Sequence, residues 1–336
     1  MISSAGAIAE FKQRQQIKKS DHTAKNYDQC IRSLAEWLQN PGSASYDPNK
    51  RDRDSKEIWE ASTADLRNFL RNLLNNGGYA GGTVDNHVIA INVFYQEVNK
   101  MAEEGIGIPQ IDNPAADLDV SGWSQLKKGT KKEQELKELH YLEPDEVESL
   151  ADNVDSPSLR NELIIRLLYH TGLRRGELVN TRVVDVDTAE RTINVRATKS
   201  HLNRTVRYQP SLDAIMNRWL DVNRPALSKP DSDYLFPTTH SDQIGEAYVG
   251  TIVGDAAENA GLQEVVFTDA SGRERMKISA HTLRHTYAVR CLKNGMDVRT
   301  LQKLMGHAQI ETTEKYLRLS EDDVLDAARK FGAGTE

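Results

Sequence analysis

Apolar residues recur at helical spacing through the first third of the chain. Ile31, Leu34, Ala35 and Leu38 form one stripe, and Leu66, Phe69, Leu70, Leu73 and Leu74 another. Steps of three and four bring side chains round to one face of a helix with 3.6 residues per turn. The second run follows Ser62 and Thr63, whose hydroxyls suit a helix start, and it stops at Gly77-Gly78. A third helix is predicted from about Thr83, with Val84, Val88, Ile91, Tyr95 and Val98 on one side. Three or four such helices bury their stripes against one another as a small bundle.

The pattern breaks between Gly105 and Pro114, and a polar stretch, WSQLKKGTKKEQELKELHYL, follows. Its Lys127, Lys128, Lys131 and Lys132 mark the best candidate linker, residues 123–139. Such a run is either a solvated segment or one that crosses a polyanion backbone. An earlier polar stretch around residues 40–55, NPGSASYDPNKRDRDS, carries mixed charges and reads as a solvated loop. Beyond Tyr141 the pattern is mixed. Helices are predicted over Asp145–Asp152 and Leu159–His170, and Ile193, Val195 and Ala197 alternate as in a half-buried strand. Thr205–Tyr208 supplies the return strand of a hairpin, and from Ser211 the chain again reads as mostly helical. The fold class is therefore mainly α with a small β-hairpin or sheet, in three segments: 1–122, 123–139 and 140–336.

Composition adds boundaries to this picture. A chain of 336 residues suggests two domains, and 38% hydrophobic with 28% charged residues suits a soluble globular protein. No apolar stretch approaches the roughly 20 residues of a membrane span. The N-terminus, MISSAGAIAEFKQRQQ, turns charged too early for a secretory signal. Cys30 and Cys291 stand far apart without a metal-ligand pattern, as expected of reduced thiols in a cytoplasmic protein. Lys and Arg total 43 against 50 Asp and Glu, a net charge of −7. That balance permits binding to nucleic acid without suggesting it, because only cations near phosphates release counterions.

Four segments after residue 170 carry candidate chemistry. T-G-L-R-R-G-E-L places Arg174 three residues before Glu177. A carboxylate there can hold the guanidinium while its other N–H groups fork around a phosphate, although such a pair is more often surface electrostatics. A-T-K-S-H sets Lys199 at the predicted hairpin tip, where an ammonium can be delivered to a leaving oxygen. S-A-H-T-L-R-H-T-Y-A contains His281, Arg284 and His285. Residues three and four apart share a helix face, so these can address one ligand. The intervening arginine and the lack of a nearby third ligand argue against zinc. L-M-G-H-A-Q-I-E-T-T-E-K-Y ends one helix at Gly306-His307 and places Tyr316 on the next. Taken singly, Tyr316 reads as a half-buried core residue.

Together these residue types are what phosphodiester transesterification without a metal requires. Arg174, Arg284 and His307 would stabilise the charge of a pentacoordinate phosphorus. A tyrosine hydroxyl, with an ordinary pKa of about 10, needs a base or a strong positive field. His281 can supply the first and the arginines the second. Lys199 stays protonated and can protonate the departing oxygen.

The set resembles the tyrosine recombinase (phage integrase) family in order and in motif: Arg174 after T-G-L, the hairpin Lys199, His281 and Arg284 in H-x-L-R-H, His307 in G-H, and Tyr316 nine residues later. The helical N-terminal part, closing with Asn113-Pro114-Ala115, is similar to the family's core-binding domain. The resemblance implies a helical N-terminal core-binding domain, a linker and an α+β catalytic domain that close around double-stranded DNA. It also implies a 3′-phosphotyrosine intermediate, no cofactor, no metal and no membrane. Strand exchange would take place in a homotetramer, to which the amphipathic tail from Ser320 would contribute by docking on a neighbour. Arg175 stands where the family often carries a small residue. Competing readings are a type IB topoisomerase, a non-catalytic DNA-binding regulator and a metal-dependent nuclease.

Overall fold

The computed structural model describes residues 2–39, 55–75, 79, 81–120, 122–123, 140–196, 203–227, 231–268 and 274–306. The chain divides into two compact units, residues 1–135 with 267–275, and residues 136–266 with 276–336. Among the described residues no helix is long and apolar enough to cross a membrane.

The first unit is helical, built from α1 (Ser4–Lys18), α2 (Asp21–Gln39), α3 (Thr63–Asn75) and α4 (Gly81–Glu103). The predicted stripes face inward: Ile31, Leu34 and Leu38, Leu66, Phe69 and Leu70, and Val84, Ile91, Tyr95 and Val98 are all buried. Helix α1 adds a fourth wall through Ala7, Ile8 and Phe11, and Phe11 meets Phe94 edge-on at 5.2 Å. Ser62 starts α3 as expected. Its Oγ accepts from the Asp65 N–H at 3.2 Å, and the Asp65 carboxylate accepts from the Ser62 N–H at 2.9 Å. This reciprocal arrangement satisfies two N–H groups that the helix itself leaves unpaired. The Thr63 hydroxyl donates to the Pro114 carbonyl at 2.8 Å, so the Asn113-Pro114-Ala115 segment closes on the foot of α3.

The second unit begins with α5 (Pro144–Asp152) and the core helix α6 (Ser158–Thr171), whose Leu163, Ile164, Leu167 and Leu168 are fully buried. A short α7 (Arg175–Val179) follows at once. Next comes a three-stranded antiparallel sheet of β1 (Val186–Asp187), β2 (Thr192–Val195) and β3 (Arg204–Arg207), with Ile193 opposite Val206. The predicted hairpin is thus β2 and β3, one residue offset on the return strand, with Ala197 outside the described residues. Strand β1, two residues long, is too short to show alternation. The chain continues through α8 (Asp213–Arg218), a π-helical turn at Trp219–Asn223, and α9 (Glu246–Asn259). A second small sheet, β4 (Val265–Thr268) with β5 (Glu274–Met276), interrupts a region expected to be mostly helical. Helices α10 (Ala280–Lys293) and α11 (Val298–Met305) complete the described part. Ala288, Val289, Leu301 and Met305 from these two helices form a small core of their own, with Tyr287 packed beside it.

Candidate active site

The site begins where α6 stops. Gly172 caps the helix at φ 61°, with its N–H donating to the Leu168 carbonyl at 3.0 Å. That left-handed conformation favours glycine, and a Cβ here would also come within 2.9 Å of Tyr287 Cε1. Leu173 is buried and anchors the turn. Arg174 is then extended, with φ −71° and ψ 153°, as the residue that starts α7. The Glu177 carboxylate reaches back to it twice, accepting from the Arg174 N–H at 2.8 Å and from Nη1 at 2.9 Å. The three-residue spacing is what lets an acid in the first turn satisfy the residue before it. Arg175 points elsewhere, with Nη1 against Gly250 of α9.

Glu177 is buried and gathers further cations. Arg204, at the start of β3, donates Nη1 to Oε1 at 2.9 Å and Nη2 to Oε2 at 2.7 Å. Arg284 Nη1 lies 3.8 Å from Oε2. Burial pushes the Glu177 carboxyl up, but the Arg204 hydrogen bonds and charge, with Arg174, outweigh it and hold the group at about 2. It is therefore an anion at any neutral pH. Three guanidinium groups around one carboxylate leave a local surplus of positive charge, which is what matters to a phosphate whatever the total charge.

All three arginines also reach the carbonyl end of α11. Arg204 Nε donates to the Leu304 carbonyl at 2.6 Å, Arg284 Nη2 to Met305 at 2.6 Å, and Arg174 Nη2 to Gly306 at 3.1 Å. Arg284 Nη1 donates to the Gly172 carbonyl as well. The last carbonyls of a helix have no partner within it and attract cations. Gly306 caps α11 at φ 61° and is the last described residue.

Exposure separates the predicted residues. Arg284 is 1% exposed, the largest fully buried side chain among the described residues, whereas the Arg174 side chain keeps 38% of its surface open. His281 lies in the first turn of α10, where its N–H donates to the Ser279 hydroxyl at 3.2 Å. It is exposed, and its ring stands edge-on to His285 at 4.3 Å. The face that the spacing assigns to His281 and Arg284 is therefore split by depth. His170 is a structural neighbour: burial lowers its pKa to about 4, and its Nδ1 accepts from the Gln209 N–H at 3.3 Å. Lys199, His307 and Tyr316 lie outside the described residues. So do Lys127, Lys128, Lys131 and Lys132, most of the 40–55 loop, and the tail from Ser320.

Sequence reasoning missed Arg204. It stands 27 positions from Glu177, and only the pairing of β2 with β3 carries it there.

A family model described as "Phage integrase family" matches residues 140–322, and one described as "Phage integrase, N-terminal SAM-like domain" matches residues 9–102. The chain belongs to the phage integrase family. That family is the one of the tyrosine-type site-specific recombinases, and the described fold is theirs in both units. A tyrosine recombinase XerC from Anoxybacillus flavithermus is 28% identical over 273 residues, 80% of this chain and 81% of that one. A tyrosine recombinase XerC 2 from Ralstonia nicotianae is 34% identical over 211 residues, 62% of this chain, and there the match spans just over half of the relative, 54%. Among solved structures, the XerH site-specific recombinase bound to a palindromic difH substrate matches with a TM-score of 0.66 at 18% identity, over 98% of this chain and 84% of that one. The Tn1549 transposon integrase in complex with a circular intermediate DNA matches equally well, TM-score 0.66 at 18% identity, over 98% and 99%. At these identities the shared property is the fold. Within the phage integrase family model fall Arg174, Glu177, Arg204 and Arg284.

Proposed function

We propose that the protein cuts and rejoins double-stranded DNA at specific sites through a covalent 3′-phosphotyrosine on Tyr316, without metal or ATP. The observation that carries this reading is the Arg174, Arg204 and Arg284 cluster around Glu177, with Arg174 partly open to solvent. Such a cluster is a fixed positive field, and fixed charge aimed at the reacting centre is the largest single source of rate in reactions that develop charge.

In the proposed reaction the Tyr316 oxygen attacks the scissile phosphorus and the bond to the 5′-oxygen breaks. The tyrosine proton passes to His281, and Lys199 protonates the departing 5′-oxygen. Arg174, Arg284 and His307 stabilise the phosphorane between the two steps. A 5′-hydroxyl from a partner duplex then attacks the phosphotyrosine, and every proton returns by the reverse route. One phosphodiester is exchanged for another at nearly equal free energy, so no nucleotide is consumed. Tyr287, the tyrosine packed on Gly172, is a poor nucleophile by comparison, because burial pushes its hydroxyl up, away from ionisation.

Residues 1–122 would grip DNA as the core-binding domain, 123–139 would cross its backbone with Lys127, Lys128, Lys131 and Lys132, and 140–336 would carry the chemistry. The solved neighbours with DNA in their complexes, XerH and the Tn1549 integrase, support duplex DNA as the partner. A homotetramer joined through the tail from Ser320, acting in the cytoplasm, completes the reading. The test is a suicide-substrate assay with nicked duplexes of randomised flanks, in which covalent adducts are sought on denaturing gels and sequenced. Adducts that share a sequence and survive EDTA support the proposal. Relaxation of any plasmid irrespective of sequence would point to topoisomerase activity instead.

A further inference from the structure

We propose that Arg204 is a positioning residue of this site: it sets Glu177 and the end of α11 in register, and through Glu177 the guanidinium of Arg174. The inference rests on the recombinase reading above and extends it to a residue outside the six proposed for the chemistry.

Every nitrogen of the Arg204 guanidinium is engaged. Nη1 and Nη2 form the parallel fork with the two Glu177 oxygens, and Nε turns the other way to the Leu304 carbonyl. The side chain is 8% exposed, so it has little surface to offer a ligand. Its action is on its two partners. The first, Glu177, is the group that holds both the backbone N–H and the guanidinium of Arg174. Fixing both carboxylate oxygens fixes the direction in which their remaining lone pairs face Arg174. The second partner, the Leu304 carbonyl, lies two residues before Gly306, the left-handed cap of α11. A Cβ on Gly306 would lie 2.8 Å from Arg204 Nη1, so the guanidinium packs against that turn. One planar group thus joins β3 to the last turn of α11 and to Glu177 of α7. A lysine ammonium is a single point and cannot make a fork and a third, opposed hydrogen bond at once.

The test uses full-length R204K and R204Q beside the wild type. Single-turnover adduct formation is followed on a nicked duplex recovered by the suicide-substrate selection. The scissile phosphate is either natural or a 5′-bridging phosphorothioate, which needs no proton on its leaving group. Hydrogen exchange of the free protein is measured in parallel. R204K should lose about tenfold to a hundredfold in adduct rate, as small misplacements of a catalytic array do, with DNA affinity unchanged. R204Q, which keeps neither the charge nor the fork, should lose at least as much. The loss should be equal on both substrates, whereas K199A should recover on the phosphorothioate. Amides in the last turn of α11 should exchange faster in R204K, with those of α6 unchanged. A wild-type adduct rate in R204K, a defect confined to DNA affinity, or one erased by the phosphorothioate would each overturn the proposal. If the wild type formed no adduct on any duplex, the recombinase reading would fail. The exchange measurement would still decide whether Arg204 holds α11, because unchanged exchange there sinks the positioning role by itself.

Discussion

Arg174 and Arg284 meet at one helix end, Arg174 Nη2 on the Gly306 carbonyl at 3.1 Å and Arg284 Nη2 on the Met305 carbonyl at 2.6 Å. They arrive from different elements, one from the turn after α6 and the other from the second turn of α10. Both also lie beside the Glu177 carboxylate, at 2.9 and 3.8 Å. The two cations are therefore placed before any DNA arrives. A site organised in advance does not spend binding free energy on assembling its charges during reaction.

Arg284 should prove essential twice over. Its side chain is 1% exposed and donates to the Gly172 and Met305 carbonyls. Arg284→Ala would remove a candidate transition-state donor and leave two inward carbonyls without that partner. Adduct formation should fall by about a hundredfold or more. Stability should drop by on the order of 3 kcal/mol, within the usual cost of orphaned buried groups and lost packing. Urea denaturation beside the adduct assay checks both. A variant as stable and as active as wild type would contradict the geometry.

Glu177 should impose an acid limit on stability. Its carboxyl stands at about 2 in the folded protein against an ordinary 4.5, so the unfolded state binds its proton first. The stabilisation is then fully present above about pH 4.5 and is lost as pH falls toward 2. Glu177→Gln would leave the guanidinium groups facing a neutral amide, at a cost on the order of 3–5 kcal/mol at neutral pH. Between about pH 5 and 2 the variant should lose less additional stability than the wild type. Parallel acid limbs for the two proteins would remove Glu177 from this role.

How far the site could be read from the chain alone follows from sequence distance. Arg174 and Glu177 are three apart, and a helix start places such a pair in contact whatever the rest of the fold does. The stripes of α2, α3 and α4 are legible for the same reason, since each needs only its own period. Helix α1 is less so: its buried set includes Ser4, Ala7 and Gln15 beside Ile8 and Phe11, too polar a face to stand out. Strand β1 has two residues, fewer than an alternation needs. Arg204 and Glu177 meet only because β3 pairs with β2 and lies beside α11, and nothing local to either residue reports that. The depth of Arg284 is hidden too. The face it shares with His281 looks polar in sequence, and the Gly172 and Met305 carbonyls with the Glu177 carboxylate, all distant in sequence, make burial of a guanidinium tolerable.

Gly172 should resist substitution for reasons independent of chemistry. Its φ of 61° disfavours any side chain, and a Cβ would press into the Tyr287 ring. Gly172→Ala should lose about 1–2 kcal/mol from the backbone conformation alone, and more from displacement of Tyr287 on α10. A thermal melt compared with Gly82→Ala, where a Cβ meets nothing within 4 Å, isolates the effect. Equal melting temperatures for the two variants would refute it.

The tyrosines give the sharpest separation between competing assignments. Tyr287 lies next to the cluster, but burial pushes its hydroxyl pKa up and the neighbouring Cys291 thiol adds to the shift. A hydroxyl so reluctant to ionise is a weak nucleophile, so Tyr287→Phe should form adducts at close to the wild-type rate. Tyr316→Phe should bind the selected duplex as the wild type does and form no adduct, because a phenyl ring has no oxygen to join to phosphorus. Peptide mapping of the denatured adduct would place the modified residue directly. Adducts from Tyr316→Phe together with none from Tyr287→Phe would reverse the assignment, and the arginine cluster would then have to serve a nucleophile already within its own walls.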